Sequence, residues 1–158
     1  MLYSFWYGRA KDEFDSIIEK DPSCCIAYSM VVSTFFHPIW NFISETDLAT
    51  AEEYSIRATS CALNNSRTTD REKAYVGAIS VFSNTSDPNL ADPASRLASY
   101  AQAMRERVYI PYVETDENAG ILYGLSLLGV GYYSESEASE GLPHLHEAGL
   151  IEEQMWLR

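Results

Sequence analysis

The sequence predicts an all-α fold of about seven helices, paired as antiparallel hairpins and stacked so that neighbours pack on neighbours. Three observations carry this. Apolar residues recur at helical spacing in segment after segment. No run alternates apolar and polar residues between hairpin turns, as a half-buried strand would. Asp-Pro pairs, capping residues and short polar loops recur about one helix length apart. The 158 residues, 46% hydrophobic and 22% charged, suit a single helical domain over 1–158. A chain of this size buries roughly 70% of its unfolded surface.

The elements follow in order. The first helix, about 3–20, carries Ala10, Phe14, Ile17 and Ile18 on one face, and Asp21-Pro22 ends it. The second, about 23–36, carries Ile26, Ala27, Met30, Val31 and Thr34, with Ser23 as its cap, and "HPIW" interrupts it. The third, about 46–64, has a stripe of Leu48, Ala51, Tyr54, Ala58, Cys61 and Ala62. The fourth opens with Thr69 and Glu72 in capping-box spacing, then shows Ala74, Tyr75, Ala78, Ile79 and Phe82. Residues 83–93 are a polar loop.

Asp92 caps the fifth helix and Pro93 takes its first position. Leu97, Tyr100, Ala101, Met104 and Val108 form its face, and Pro111 falls in the turn after it. The sixth begins near Thr115 or Asp116, presents Ala119, Leu122, Tyr123, Ser126 and Leu127, and frays at Gly129 and Gly131. An acidic loop at 134–141 precedes the seventh, about 142–157, with Leu145, Ala148, Ile151, Met155 and Trp156.

The net charge of −12 is uneven, with nine acids and one base in 114–158. An acidic chain repels phosphate, which argues against nucleic acid or an anionic membrane as partner and leaves room for a basic protein. No apolar run reaches the ~20 residues that cross a bilayer, and the N-terminus lacks the pattern of a secretory signal. Three cysteines without a CxxC pair, two of them adjacent, fit a reducing, cytoplasmic setting.

Ala10, Phe14 four residues on and Pro22 match the second half of a tetratricopeptide repeat, A-x3-F…P. The small residue lets two helices approach, the aromatic fills the gap and the proline turns the chain back. Tyr28 then takes the large-aromatic position of the next repeat and Val31 its leucine position. Cys24 and Cys25 fall in the turn and the first helical turn, where they read as small packing residues. A thiol activated by the helix N-terminus is the rival reading, with no base in view.

The series "AKDEFDSIIEKDPSCCIAY…HPIW", "TTDREKAYVGAISVF", "RLASYAQAM", "TDENAGILYGLSLL" resembles a group of tetratricopeptide-like proteins of bacteria and fungi whose function is poorly defined. The resemblance runs from about Phe5 to Trp156. It implies a right-handed solenoid and a non-catalytic protein-interaction scaffold, with a partner segment held in the concave groove. Ser29 stands where the family pattern has Trp, and Asn118-Ala119 where it has Glu-Ala. Members of the group continue into a His-rich segment, so the resemblance also implies a truncated chain. The alternative it leaves is the front part of an enzyme or metal-binding protein whose active segment lies further on.

Candidate chemistry is sparse, and no catalytic, cofactor-binding or metal-ligating residue is assigned. His144 and His146 are two apart and diverge on a helix, unlike the i, i+4 pair of a zinc helix. With Glu147 they read as surface residues, and His37 as a turn residue. Arg71 and Glu72 read as a helix start. Arg96, Arg105 and Arg107 read as solvated, with contact to an acidic peptide terminus as the sharper option. Trp40, Tyr28, Tyr75, Tyr100 and Tyr123 read as core between helices. No phosphate loop, nucleophile elbow or acid–base pair is seen.

Overall fold

The structure is a computed structural model and describes residues 6–38, 43–133 and 147–151. Seven helices and no strand occur among the described residues, so the all-α class holds. They are α1 (Tyr7–Lys20), α2 (Cys25–Ser33), α3 (Glu45–Asn64), α4 (Asp70–Phe82), α5 (Pro93–Met104), the short α6 (Ile110–Tyr112) and α7 (Glu117–Tyr133). Residues 147–151 are also helical. Consecutive helices pack on each other from α1 to α5, α5 packs on α7, and α2 packs on α4 as well. None of them is long and apolar enough to cross a membrane.

Local chemistry accounts for most of the boundaries. Asp21 ends α1, its amide still donating to the Ile17 carbonyl. Its carboxylate accepts from both the amide and the hydroxyl of Ser23, so Ser23 closes the turn instead of capping α2, whose cap position is Cys24. At the far end, Thr34 and Phe35 bond back three residues rather than four, and Pro38 keeps the helix from resuming. Ser44 caps α3 by accepting from the Asp47 amide. Thr69 and Glu72 form the expected capping box: the hydroxyl accepts from the Glu72 amide at 3.2 Å and the carboxylate from the Thr69 amide at 2.8 Å. Asp92 caps α5 with Pro93 behind it. Within the loop at 83–93, Asp87 caps a single 3-10 turn at Pro88–Leu90.

Two helices run on where the sequence predicts a break. After α5 the chain continues through a π-helical stretch, Arg105–Tyr109, into α6, so Pro111 lies within helical backbone. The wide turn, with the Ile110 amide donating to the Arg105 carbonyl, relieves the clash that a proline ring makes with the carbonyl four residues earlier. Helix α7 runs through Gly129 and beyond Gly131 without fraying. A Cβ on Gly129 would lie 2.6 Å from Cζ of Phe36, so glycine is what admits that ring against α7.

Phe36, Phe82 and Tyr100 form the centre of the larger core, with ring centroids 5.3 to 5.7 Å apart. Val32, Ile79, Met104, Val108, Leu122 and Leu127 surround them, and Ala148 and Ile151 close the same core. A second cluster joins α1, α2 and α3 through Ile18, Tyr28, Val31, Ala58 and Ala62. Ala10, Tyr28 and Val31 are buried as the repeat pattern expects, and Phe14 packs against both clusters. Ile17, placed on the buried face by spacing, is instead 42% exposed.

The cysteines depart furthest from expectation. Cys25 is buried, but it is disulfide-bonded to Cys61 of α3, and Cys24 is the free thiol among the described residues. The bond joins positions 36 residues apart and leaves the adjacent pair 24–25 unlinked. With a disulfide present, cysteine usage no longer argues for a reducing setting.

Candidate functional site

A groove of about 330 Å³ opens where α1, α2, α4 and the start of α7 meet. Its apolar lining comes from Phe14 of α1, Ile26 and Met30 of α2, and Leu122 of α7. Phe14, Ile26 and Met30 are half-buried edges of stripes whose inner members form the core, Ile26 and Met30 flanking the buried Ala27 and Val31, while Leu122 is a buried core residue at the floor. Arg71, Glu72, Tyr75, Asp116 and Asn118 supply the polar side.

Asp116 organises that polar side. One carboxylate oxygen accepts from the Asn118 amide and side chain, at 3.1 and 3.0 Å, which orders the start of α7. The other accepts from the Tyr75 hydroxyl at 3.0 Å and from Nη1 of Arg71 at 3.2 Å. The carboxylate is buried while half of the Arg71 side chain remains exposed. Four accepted bonds occupy Asp116, so it braces α4 against α7 rather than serving as a free base. The carboxylate of Glu72 is likewise held by the Thr69 cap. Arg71 keeps guanidinium donors in hand at the groove, since its fork carries five and one of them meets Asp116.

A larger hollow of about 490 Å³ lies between α3 and α4. The exposed Ile56 and Leu63 border it together with Val81, and several of its hydroxyl side chains are already satisfied within the fold: Ser55 with Ser83, and Ser80 on the Gly77 carbonyl. Arg107 lines this hollow, but its guanidinium donates to the Gly77 carbonyl, whereas the α1–α2–α4–α7 groove draws on more helices, joins Phe14, Ile26, Met30 and Leu122 as apolar lining and keeps Arg71 donors at its edge, and is the better candidate.

The residues singled out by sequence scatter. Tyr28, Tyr75, Tyr100 and Tyr123 are buried as core. Three of them also carry polar duty, because Tyr123 donates to Glu147 at 2.8 Å, Tyr75 to Asp116 and Tyr28 to the Pro22 carbonyl at 3.1 Å. Burial, reinforced by the Glu147 carboxylate, pushes the Tyr123 hydroxyl far above its ordinary pKa. Glu147 is thus a partner of the core rather than a purely solvated residue.

The arginines divide. Arg96 is buried, not solvated: Nε donates to the Leu90 carbonyl and Nη2 to that of Ala91, holding the Pro88–Leu90 turn, and burial lowers its pKa. Arg107 donates to the Gly77 carbonyl at 2.7 Å, and Arg105 is exposed. None of the three lines the groove, while Arg71, read from sequence as part of a helix start, does. The signal for Arg71 is long-range, because Asp116 is 45 residues away. His37 sits in its turn against the Thr34 carbonyl and the Tyr7 ring. Trp40, His144, His146, the loop at 134–141 and the end of the predicted last helix lie outside the described residues. No group of three or more His, Cys, Asp or Glu suited to a metal occurs among the described residues. Compared with known proteins, the chain matches no family model, no curated sequence and no solved structure.

Proposed function

We propose that the chain is a non-catalytic scaffold of the tetratricopeptide-like kind, which holds a segment of a protein partner in the α1–α2–α4–α7 groove. The observation behind this reading is the make-up of the groove: apolar side chains from three helices face one opening, with a half-exposed arginine at its edge. That is the lining that receives an apolar anchor while a polar clamp fixes its backbone or flanks. The packing order supports a solenoid, since each helix from α1 to α5 rests on its neighbour and α2 also rests on α4. The net charge of −12 favours a partner whose anchor is flanked by Lys or Arg.

The test is selection from a random displayed peptide library against the purified chain, with affinities then measured by fluorescence anisotropy. Enriched peptides should combine apolar anchors with basic residues, and Met30→Glu should weaken them about tenfold or more. No enrichment, or binding that Met30→Glu leaves unchanged, would sink the proposal.

A further inference from the structure

The Cys25–Cys61 disulfide is chemically lopsided. Cys25, at the first position of α2, is 3% exposed. Thr68 Oγ1 lies 3.3 Å from its sulfur and Asn65 Nδ2 donates to that sulfur at 3.8 Å. Cys61 lies near the C-terminal end of α3, is partly exposed, and has one recorded polar neighbour at its sulfur, the Ser23 carbonyl oxygen at 3.7 Å. That carbonyl is also 3.4 Å from the Cys25 sulfur, so it disfavours negative charge at both and does not separate them.

What separates them is the donors and the helix ends. A thiolate at Cys25 would take the Thr68 hydroxyl, the Asn65 amide and the positive end of α2; one at Cys61 would face the negative end of α3. A hollow of about 210 Å³ opens beside Cys25. Of its three charged residues, Asp21 is occupied by Ser23 and Glu72 by the Thr69 cap, whereas Arg67 reaches in to donate to the Ser23 hydroxyl at 2.8 Å.

We propose that this disulfide is a thiol-exchange and modification site for small monothiols, attacked at Cys61 with Cys25 as leaving group. An incoming thiol loses its proton to solvent, and its thiolate attacks the Cys61 sulfur. The Cys25–Cys61 bond breaks, a mixed disulfide forms on Cys61, and the electron pair leaves on Cys25. A second monothiol then attacks the small-molecule sulfur of the mixed disulfide, giving its own disulfide and a free Cys61 thiol. The protein has gained two electrons from two thiols. The direction follows from leaving-group stability, because the better stabilised thiolate leaves faster.

The experiment uses the full chain with Cys24→Ser, so that the remaining sulfurs are unambiguous. It is incubated oxidised with reduced glutathione under native conditions, quenched with acid, alkylated and mapped by mass spectrometry. The expected result is a glutathione adduct on Cys61 with the alkyl label on Cys25, and about tenfold slower exchange in Thr68→Val or Asn65→Ala variants whose melting matches the parent's. An adduct on Cys25 would overturn the assignment. So would exchange only at denaturant concentrations that unfold the chain, or exchange in both variants as fast as in the parent.

Discussion

Gly129 makes the fold's tightest sequence-dependent claim. An alanine there places a Cβ 2.6 Å from Cζ and 2.9 Å from Cε2 of Phe36, closer than real carbon contacts allow. The ring has little freedom to yield, because it stands edge-on to Phe82 at 5.3 Å and to Tyr100 at 5.4 Å. Overpacking of a filled core costs typically about 1–3 kcal/mol. Alanine in place of a helical glycine returns up to about 1 kcal/mol of backbone entropy. Gly129→Ala should therefore destabilise the chain by about 1–2 kcal/mol. Gly8, in α1 with open space around its Cβ position, is the control, and Gly8→Ala should be neutral or stabilising. Urea melts followed by circular dichroism measure both, and the thermal midpoint of the Gly129 variant should fall by roughly 2–8 °C. Adding Phe36→Leu should make Gly129→Ala cheaper, a coupling that a double-mutant cycle isolates. If Gly129→Ala stabilises as Gly8→Ala does, Phe36 does not pack against α7 as described.

Three further outcomes are expected. Cys61→Ser removes a cross-link closing a 36-residue separation, and the loop-entropy relation gives a loss of roughly 4 kcal/mol, read from urea midpoints under oxidising conditions. Arg96→Leu leaves the Leu90 and Ala91 carbonyls without their donor and should cost about 2 kcal/mol, while Arg105→Leu, at an exposed position, should change stability little. Acid sensitivity should track the caps. The amide and hydroxyl of Ser95 hold Asp92 below the usual carboxylate range, and the hydroxyl and amide of Ser23 do the same for Asp21. Because the folded pKa values are depressed, their contribution is complete above the unfolded value of about 4 and is lost as pH falls through the folded ones. The melting temperature should drop below about pH 4, less steeply in Asp92→Asn.

Local rules made the helices legible and long-range pairing hid the site. Thr69 with Glu72, and Asp92 with Pro93, announce helix starts because a cap and its amide lie within one turn. The stripes of α4 and α5 read correctly because burial follows a 3.6-residue period. Pro111 and Gly129 misled for one reason: each is a breaker by intrinsic propensity, and tertiary context decides otherwise, through the π-helical turn at one and the Phe36 ring at the other. The Cys25–Cys61 pairing and the Arg71–Asp116 link join positions 36 and 45 residues apart, and no periodicity encodes which distant partner a side chain meets. The groove is not visible in sequence, which sets Ile26 and Met30 on one face with Ala27 and Val31; that they stay half-buried follows from where α1, α4 and the start of α7 come together.

Methyl NMR of the chain labelled at methionine tests the groove most directly, with a library-selected peptide as ligand. Met30 lines the groove and Met104 is fully buried in the core, so one reports binding and the other serves as internal reference. Saturable shifts at Met30, with Met104 unmoved, are the predicted result. A peptide that binds while leaving the Met30 methyl unperturbed would contradict the assignment of this groove as the partner site.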